Sequence, residues 1–423
     1  MRPILSAVFA LAMIACGAAV AGEAADFARR QAEGTGTVGE AIDDRSRIAA
    51  GARLLGARAA ADPNAQEARF GAGLLLFARA VERYGQAQYR HGLRLSRTLS
   101  VPLLRLPVPV NPDPEVVTYE AQREAIRRFV DDLAAAEAML AGMTDAPVKI
   151  PIDLAAVRLD FRGTGAPGAD GRLSSIVAGL RMVRPDETLA TPFEVAFDNA
   201  DALWLRGYCR LLSALGEFAL AHDWHEAFEV SAPLFYPEPS PSPFGGARES
   251  AEAGTIDFVG SRSEIADAAA FLHLIRWPVV EPERMKRVRA HLLQVIALSR
   301  QTWTAIEAET DDDREWLPGP HQKSGLATVM PIGETQVKAW RAFLDTFEAM
   351  LEGRLLMPHW RLAGGFDLKR VFEEPRTFDL ILWATGHAAV PYAASGRTLG
   401  SSEWTVWQML FNGNFLGYAL WIN

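Results

Sequence analysis

Phe70, Leu74, Phe77, Val81 and Tyr84 recur at spacings of four, three, four and three, the period of one face of an amphipathic helix. The period returns at Ile126, Phe129, Val130, Leu133, Met139 and Leu140. It returns again at Met285, Val288, Leu292, Val295, Ser299, Trp303 and Ile306. Stripes of this kind must be buried against other elements. Strand signals, such as strict alternation and Asn-Gly turns, are sparse. The chain is therefore expected to be all-α and multi-helical.

The punctuation agrees with the stripes. Asp62-Pro63 reads as an N-cap followed by proline at the first helical position. Thr118 reads as the cap of the second striped helix and Gly142 as its end. Asp198 caps a pattern running to about residue 230, and Pro282 starts the long third stripe. Further helices are expected at 334–352 and 402–420. Glu124 with Arg128, and Arg127 with Asp131, have the spacing of i,i+4 ion pairs.

All eleven tryptophans lie at or after Trp204. This shift predicts two helical regions, 22–147 and 198–423, packed together and joined by an irregular connecting segment, 148–197, in which 148–160 reads as a short strand or an irregular stretch and is followed by a glycine-rich loop. The helix-pair texture around Asp62-Pro63 resembles tetratricopeptide-like solenoids, which implies a distantly solenoid-like stacking, although no 34-residue period recurs. Residues 1–21 place Arg2 before an apolar run ending in Ala19-Val20-Ala21, the layout of a secretory signal peptide. Met13-Ile14-Ala15-Cys16 looks like a bacterial lipobox, the alternative in which Cys16 is lipidated and tethers the protein to a membrane. Removing residues 1–21 leaves Cys209 as the single cysteine, so the expected mature chain is held by packing and not by an intramolecular disulfide. A net charge of −9 disfavours polyanions, and nucleic acid is not an expected partner.

Four residues stand out as candidate metal ligands. If one helix carries His222, His225, Glu226 and Glu229, about 100° per residue places all four within an arc of roughly 100°. Two imidazoles with carboxylates are what a zinc or iron site needs from a helix, with a further ligand such as His273. The bland reading is that the same residues finish the stripe of Leu211, Leu215 and Phe218 as hydrogen-bonded histidines. Asp160 to Gly171 resembles an EF-hand-type calcium loop, with Asp160 first and Gly165 at the sixth position. Arg162, Thr164 and Gly171 replace expected ligands, leaving Asp160, Thr164 and Asp170 as candidate oxygen donors. Gly163, Gly165 and Gly168 formally match a dinucleotide fingerprint, but Pro167 breaks its strand-to-helix context.

Asp311-Asp312-Asp313 is read as a solvated turn after the long helix, since negative charge is unfavourable at a helix C-terminus. The small-residue stretch Trp383 to Tyr392, near Trp360, His359, His387 and Arg397, suits either a packed core or a ligand groove. No G-x-S-x-G elbow, S-x-x-K motif or catalytic-type cysteine is present. The sequence expectation is a periplasmic or secreted helical protein with a non-enzymatic binding or scaffolding role toward an envelope protein or small ligand. The alternative is a metal-dependent hydrolase or oxidase. No cofactor is called for beyond zinc or iron in that alternative.

Overall fold

The computed structural model describes residues 47–94, 106, 108–153, 158–165, 194–240, 269–270, 272–323, 332–400 and 409. The expected signal peptide, Cys16, Asp170, Trp404, Trp407 and Trp421 lie outside the described residues, as does the helix at 402–420 apart from Met409. No described helix is long and apolar enough to cross a membrane.

The three stripes are helices α2 (Gln66–Arg90), α3 (Tyr119–Ala141) and α6 (Pro282–Ala308), accompanied by α1 (Arg47–Ala61), α4 (Asn199–Ala221), α5 (His225–Phe235) and α7 (Glu334–Leu351). Each buries its striped face on the next: α1 on α2, α2 on α3, α3 on α4, and α4 on α6. The buried apolar cluster runs from Ile48 to Leu399 and so includes both sequence regions. Among the described residues no solenoid is shown.

Thr118 caps α3 by accepting from Ala121 N–H at 3.1 Å, and Gly142 ends it. Asp198 caps α4 in a reciprocal box with Asp201. Pro282 occupies the first turn of α6, and the 334–352 helix is α7. Glu124 pairs with Arg128 at 2.7 Å as expected, whereas Arg127 turns back to Glu124 at 2.5 Å.

Two expectations change. Asp62-Pro63 is not the start of α2. Asp62 N–H donates to Arg58 O, closing α1, and its carboxylate accepts from Asn64 N–H at 2.9 Å, a local turn that delays α2 to Gln66. The molecule is also mostly helical and not all-α. Strands β1 (Lys149–Asp153) and β2 (Glu194–Asp198) pair antiparallel at the two ends of the connecting segment, β1 within the stretch that could hold a short strand. They set Ile152 opposite Val195 and Ile150 opposite Phe197, with Ile152, Val195 and Phe197 buried. Burial of that one face holds two five-residue strands that are too short to show a period alone. Two smaller ribbons follow. One pairs β3 (Arg276–Trp277) with β6 (Phe378–Asp379), and the other joins β4 (Met357–Pro358), β5 (Gly365–Phe366) and β7 (Ala393–Ala394). Short helices α8 (Leu368–Glu373) and α9 (Leu380–Ala384) lie between these strands.

The Asp160 turn docks on α2. Glu82 accepts from Asp160 N–H at 2.9 Å, and Gln86 donates to Asp160 O at 2.8 Å. Gly85 is glycine for steric reasons, because a Cβ there would lie 2.2 Å from the Phe161 ring. The Asp160 carboxylate faces inward on its own turn, accepting from Gly165 N–H at 2.5 Å and from the Thr164 hydroxyl at 3.4 Å.

Candidate functional site: an apolar cavity beside His222

The long helix expected from Asp198 to about residue 230 stops at Ala221, and His222 is extended. Its terminal carbonyls find donors elsewhere. The Arg123 guanidinium donates to Leu220 O and His222 O, both at 2.8 Å, and pairs with Glu281 at 3.1 Å. Val280 and Glu281 N–H both donate to Ala221 O, while Asp223 N–H donates to Pro278 O. With the end of α4 satisfied by Arg123 and by the chain entering α6, the helix has no need to continue. A new helix, α5, starts at His225, whose N–H is accepted by Asp223 at 2.9 Å.

This break separates the four candidate ligands. His222 is buried at the end of α4 against Phe218 and Phe378. His225 is exposed, stacks on Tyr119 at 4.5 Å and lies 3.5 Å from Glu229. Glu226, Glu229 and His273 are also exposed. The shared arc needed one continuous helix, and the chain does not provide it.

His222 instead forms part of the wall of a cavity of about 480 Å³. Phe218 and Met285 line it from α4 and α6, and Phe372, Phe378, Trp383 and Tyr392 line it from the C-terminal segment. The segment is held by backbone pairing. In β3–β6, Trp277 is opposite Phe378, and Leu380 N–H donates to Ile275 O at 3.0 Å. Asp379 caps α9 through Leu382 N–H at 2.8 Å, and Asp367 N–H donates to Tyr392 O at 2.9 Å. Gly365 lets β4 and β5 close up, since a Cβ there would lie 2.6 Å from Met357 O. Trp383 and Tyr392 then stack in parallel 6.0 Å apart. The sequence stretch read as core or groove is therefore one wall of a groove.

The chemistry of His222 follows from its neighbours. Nδ1 lies 2.7 Å from Phe218 O, a carbonyl that can only accept, so Nδ1 carries the proton. Burial pushes the imidazole pKa below its ordinary value, against the smaller effect of this hydrogen bond. The ring is therefore neutral, with Nε2 as a bare acceptor. Nε2 has no partner among the described residues. A mostly apolar cavity of this size, with a neutral imidazole in its wall and Arg276, Arg376 and Asp379 among its few polar lining residues, has the make-up of a small-molecule site.

A second cavity, about 1040 Å³, lies between β1, the start of α4 and the end of α6. Asp198 and Glu309 line it, and together with the buried Glu315 they bring carboxylate oxygens within 4.8 Å of one another. Burial raises the pKa of all three, and Glu309 reaches about 8, with the Asp198 charge adding to the rise. Asp201 is raised well above the usual range by burial and then by Asp198. Gln322 donates to Glu309 at 2.8 Å. Arg314, next to Glu315, is left-handed at φ 57°, a conformation a non-glycine residue holds only when its surroundings enforce it. Lys149 pairs with Asp311 and lies 3.9 Å from Asp313, so the cation met by the Asp311–Asp313 run is the protein's own. Sequence reasoning took Asp198 for a cap alone and passed over Glu309 and Glu315. Only the density of acidic residues around 307–315 pointed here.

No family model, no curated protein and no solved structure matches the chain.

Proposed function

We propose that the chain is an exported binding protein that holds a small, largely apolar molecule in the cavity beside His222. The observation that carries this reading is the cavity itself, with aromatic walls drawn from α4 and the C-terminal segment and one unpartnered imidazole nitrogen. Export rests on the layout of residues 1–21 alone.

Titration with the neutral fluorophore N-phenylnaphthylamine tests the reading. One equivalent should bind. Ala388→Trp, which puts an indole into the cavity wall, should weaken binding at least about tenfold, the equivalent of one lost aromatic contact. Unchanged binding in that variant would place the ligand elsewhere. The Nε2 acceptor adds a preference. Naphthol should bind tighter than naphthalene by roughly threefold to tenfold, the worth of one net hydrogen bond. The preference should vanish in His222→Phe. It should also fade on acidification below the ordinary histidine range, where Nε2 takes a proton and stops accepting.

The carboxylate triad favours a second reading, a metal-dependent activity. Three carboxylates suit a hard divalent cation such as calcium and not zinc or iron. Calcium should then raise the melting temperature at pH 8.5 and leave Glu309→Gln unmoved. Equal shifts in both proteins would remove the triad from consideration.

A further inference from the structure

We infer that the ligand of the His222 cavity is a flat aromatic anion, with its rings among Phe218, Phe378 and Trp383 and its charged group at the mouth against Arg276 and Arg376. This rests on the binding role proposed above and adds the chemical class. The walls argue for rings, since aromatic faces and edges pack best on other flat π-systems.

The sign of the charge comes from the mouth. Arg276 and Arg376 both line it, and both are exposed. The one carboxylate among the lining residues, Asp379, has one oxygen capping α9 and the other 4.0 Å from Arg276. Glu374, the acidic neighbour of Arg376, is already paired with Arg370 at 2.8 Å. The Arg376 guanidinium has no ion pair among the described residues. The Tyr392 hydroxyl donates to Glu374 O at 2.9 Å and so ties the cavity wall to the segment that carries Arg376. The mouth thus carries a surplus cation on a chain whose net charge is −9. A local field opposed to the global one draws an anion to this rim and away from the rest of the surface. An arginine is also the side chain best shaped to hold a carboxylate or sulfonate.

A matched pair of probes separates this inference from the binding role. N-phenylnaphthylamine and anilinonaphthalene sulfonate share one ring system and differ by the sulfonate. The sulfonate should bind about tenfold tighter at low salt, with the gap closing as salt screens the rim. Arg376→Gln should reduce the gap to about twofold, leaving the neutral probe within about twofold of its original affinity. Ala388→Trp should weaken both probes. Equal affinities for the two probes, or an Arg376→Gln loss shared by both, would overturn the anion inference while leaving the cavity as a binding site. If Ala388→Trp affects neither probe, the binding role falls together with the inference.

Discussion

Trp204→Ala is expected to lower the unfolding free energy by about 3–5 kcal/mol, the usual range for deleting a fully buried large aromatic. Trp204 sits in the first turns of α4 with no exposure. Its ring lies 4.2 Å from Tyr208 and 5.8 Å, edge-on, from Trp316, which in turn packs on Phe197 of β2. One residue thus joins α4, the ribbon and the chain leaving α6, and a neighbourhood held from three sides cannot collapse into the hole. Against a typical total of about 5–15 kcal/mol, that loss is a large share. Urea unfolding followed by circular dichroism measures it. Trp360→Ala is the control: Trp360 is 74% exposed, with Arg361 over its face at 4.4 Å. It should change stability by no more than about 0.5 kcal/mol. Similar losses in both variants would mean that the Trp204 cluster is not the core it is taken for.

These two tryptophans also show what the sequence could reveal. The stripes were legible because helical periodicity is local. Phe70 to Tyr84 needs no knowledge of what it packs against, and Thr118, Asp198 and Pro282 act within one turn of their own positions. The break at His222 was not legible. The donors that end α4 come from Arg123, about a hundred residues earlier, and from Val280 and Glu281, about sixty later. Within residues 198–235 alone the polar residues continue the stripe in register, and a single helix is the natural reading. Strand β2 was missed for a related reason, and β1 was only one of two readings of its stretch, since five residues carry no period and each strand needs its distant partner. The cavity was half legible. His222 and the Trp383–Tyr392 stretch each drew attention for their residue types, but only the β3–β6 pairing brings them face to face. The acidic triad was least visible, because Asp198 already had a sufficient local role as a helix cap.

That triad should set the pH dependence of the whole protein. A carboxyl whose pKa rises on folding binds a proton more tightly in the folded state, so its contribution is complete below the unfolded value and is lost as pH climbs to the folded one. For Glu309 the window runs from its ordinary 4.5 to about 8, and Asp198, Asp201 and Glu315 shift in the same direction. Glu309 is only about half buried, so solvent screening reduces the effect well below the full shift. A loss of about 1–2 kcal/mol between pH 5 and pH 8.5 is expected. On the acid side Asp311, held below the usual range by Lys149, works in the opposite sense and loses its contribution as pH falls under 4. Stability should therefore peak on the acid side of neutrality. Glu309→Gln isolates the cause, because glutamine matches the protonated acid in shape and keeps an oxygen for Gln322. Urea unfolding should find the variant level with the natural protein at pH 5 and more stable by about 1–2 kcal/mol at pH 8.5. Parallel pH curves for the two would show that Glu309 ionises as freely in the fold as in the unfolded chain. The crowding of carboxylates at this cleft would then have no energetic consequence, and the second reading of the site would lose its electrostatic basis.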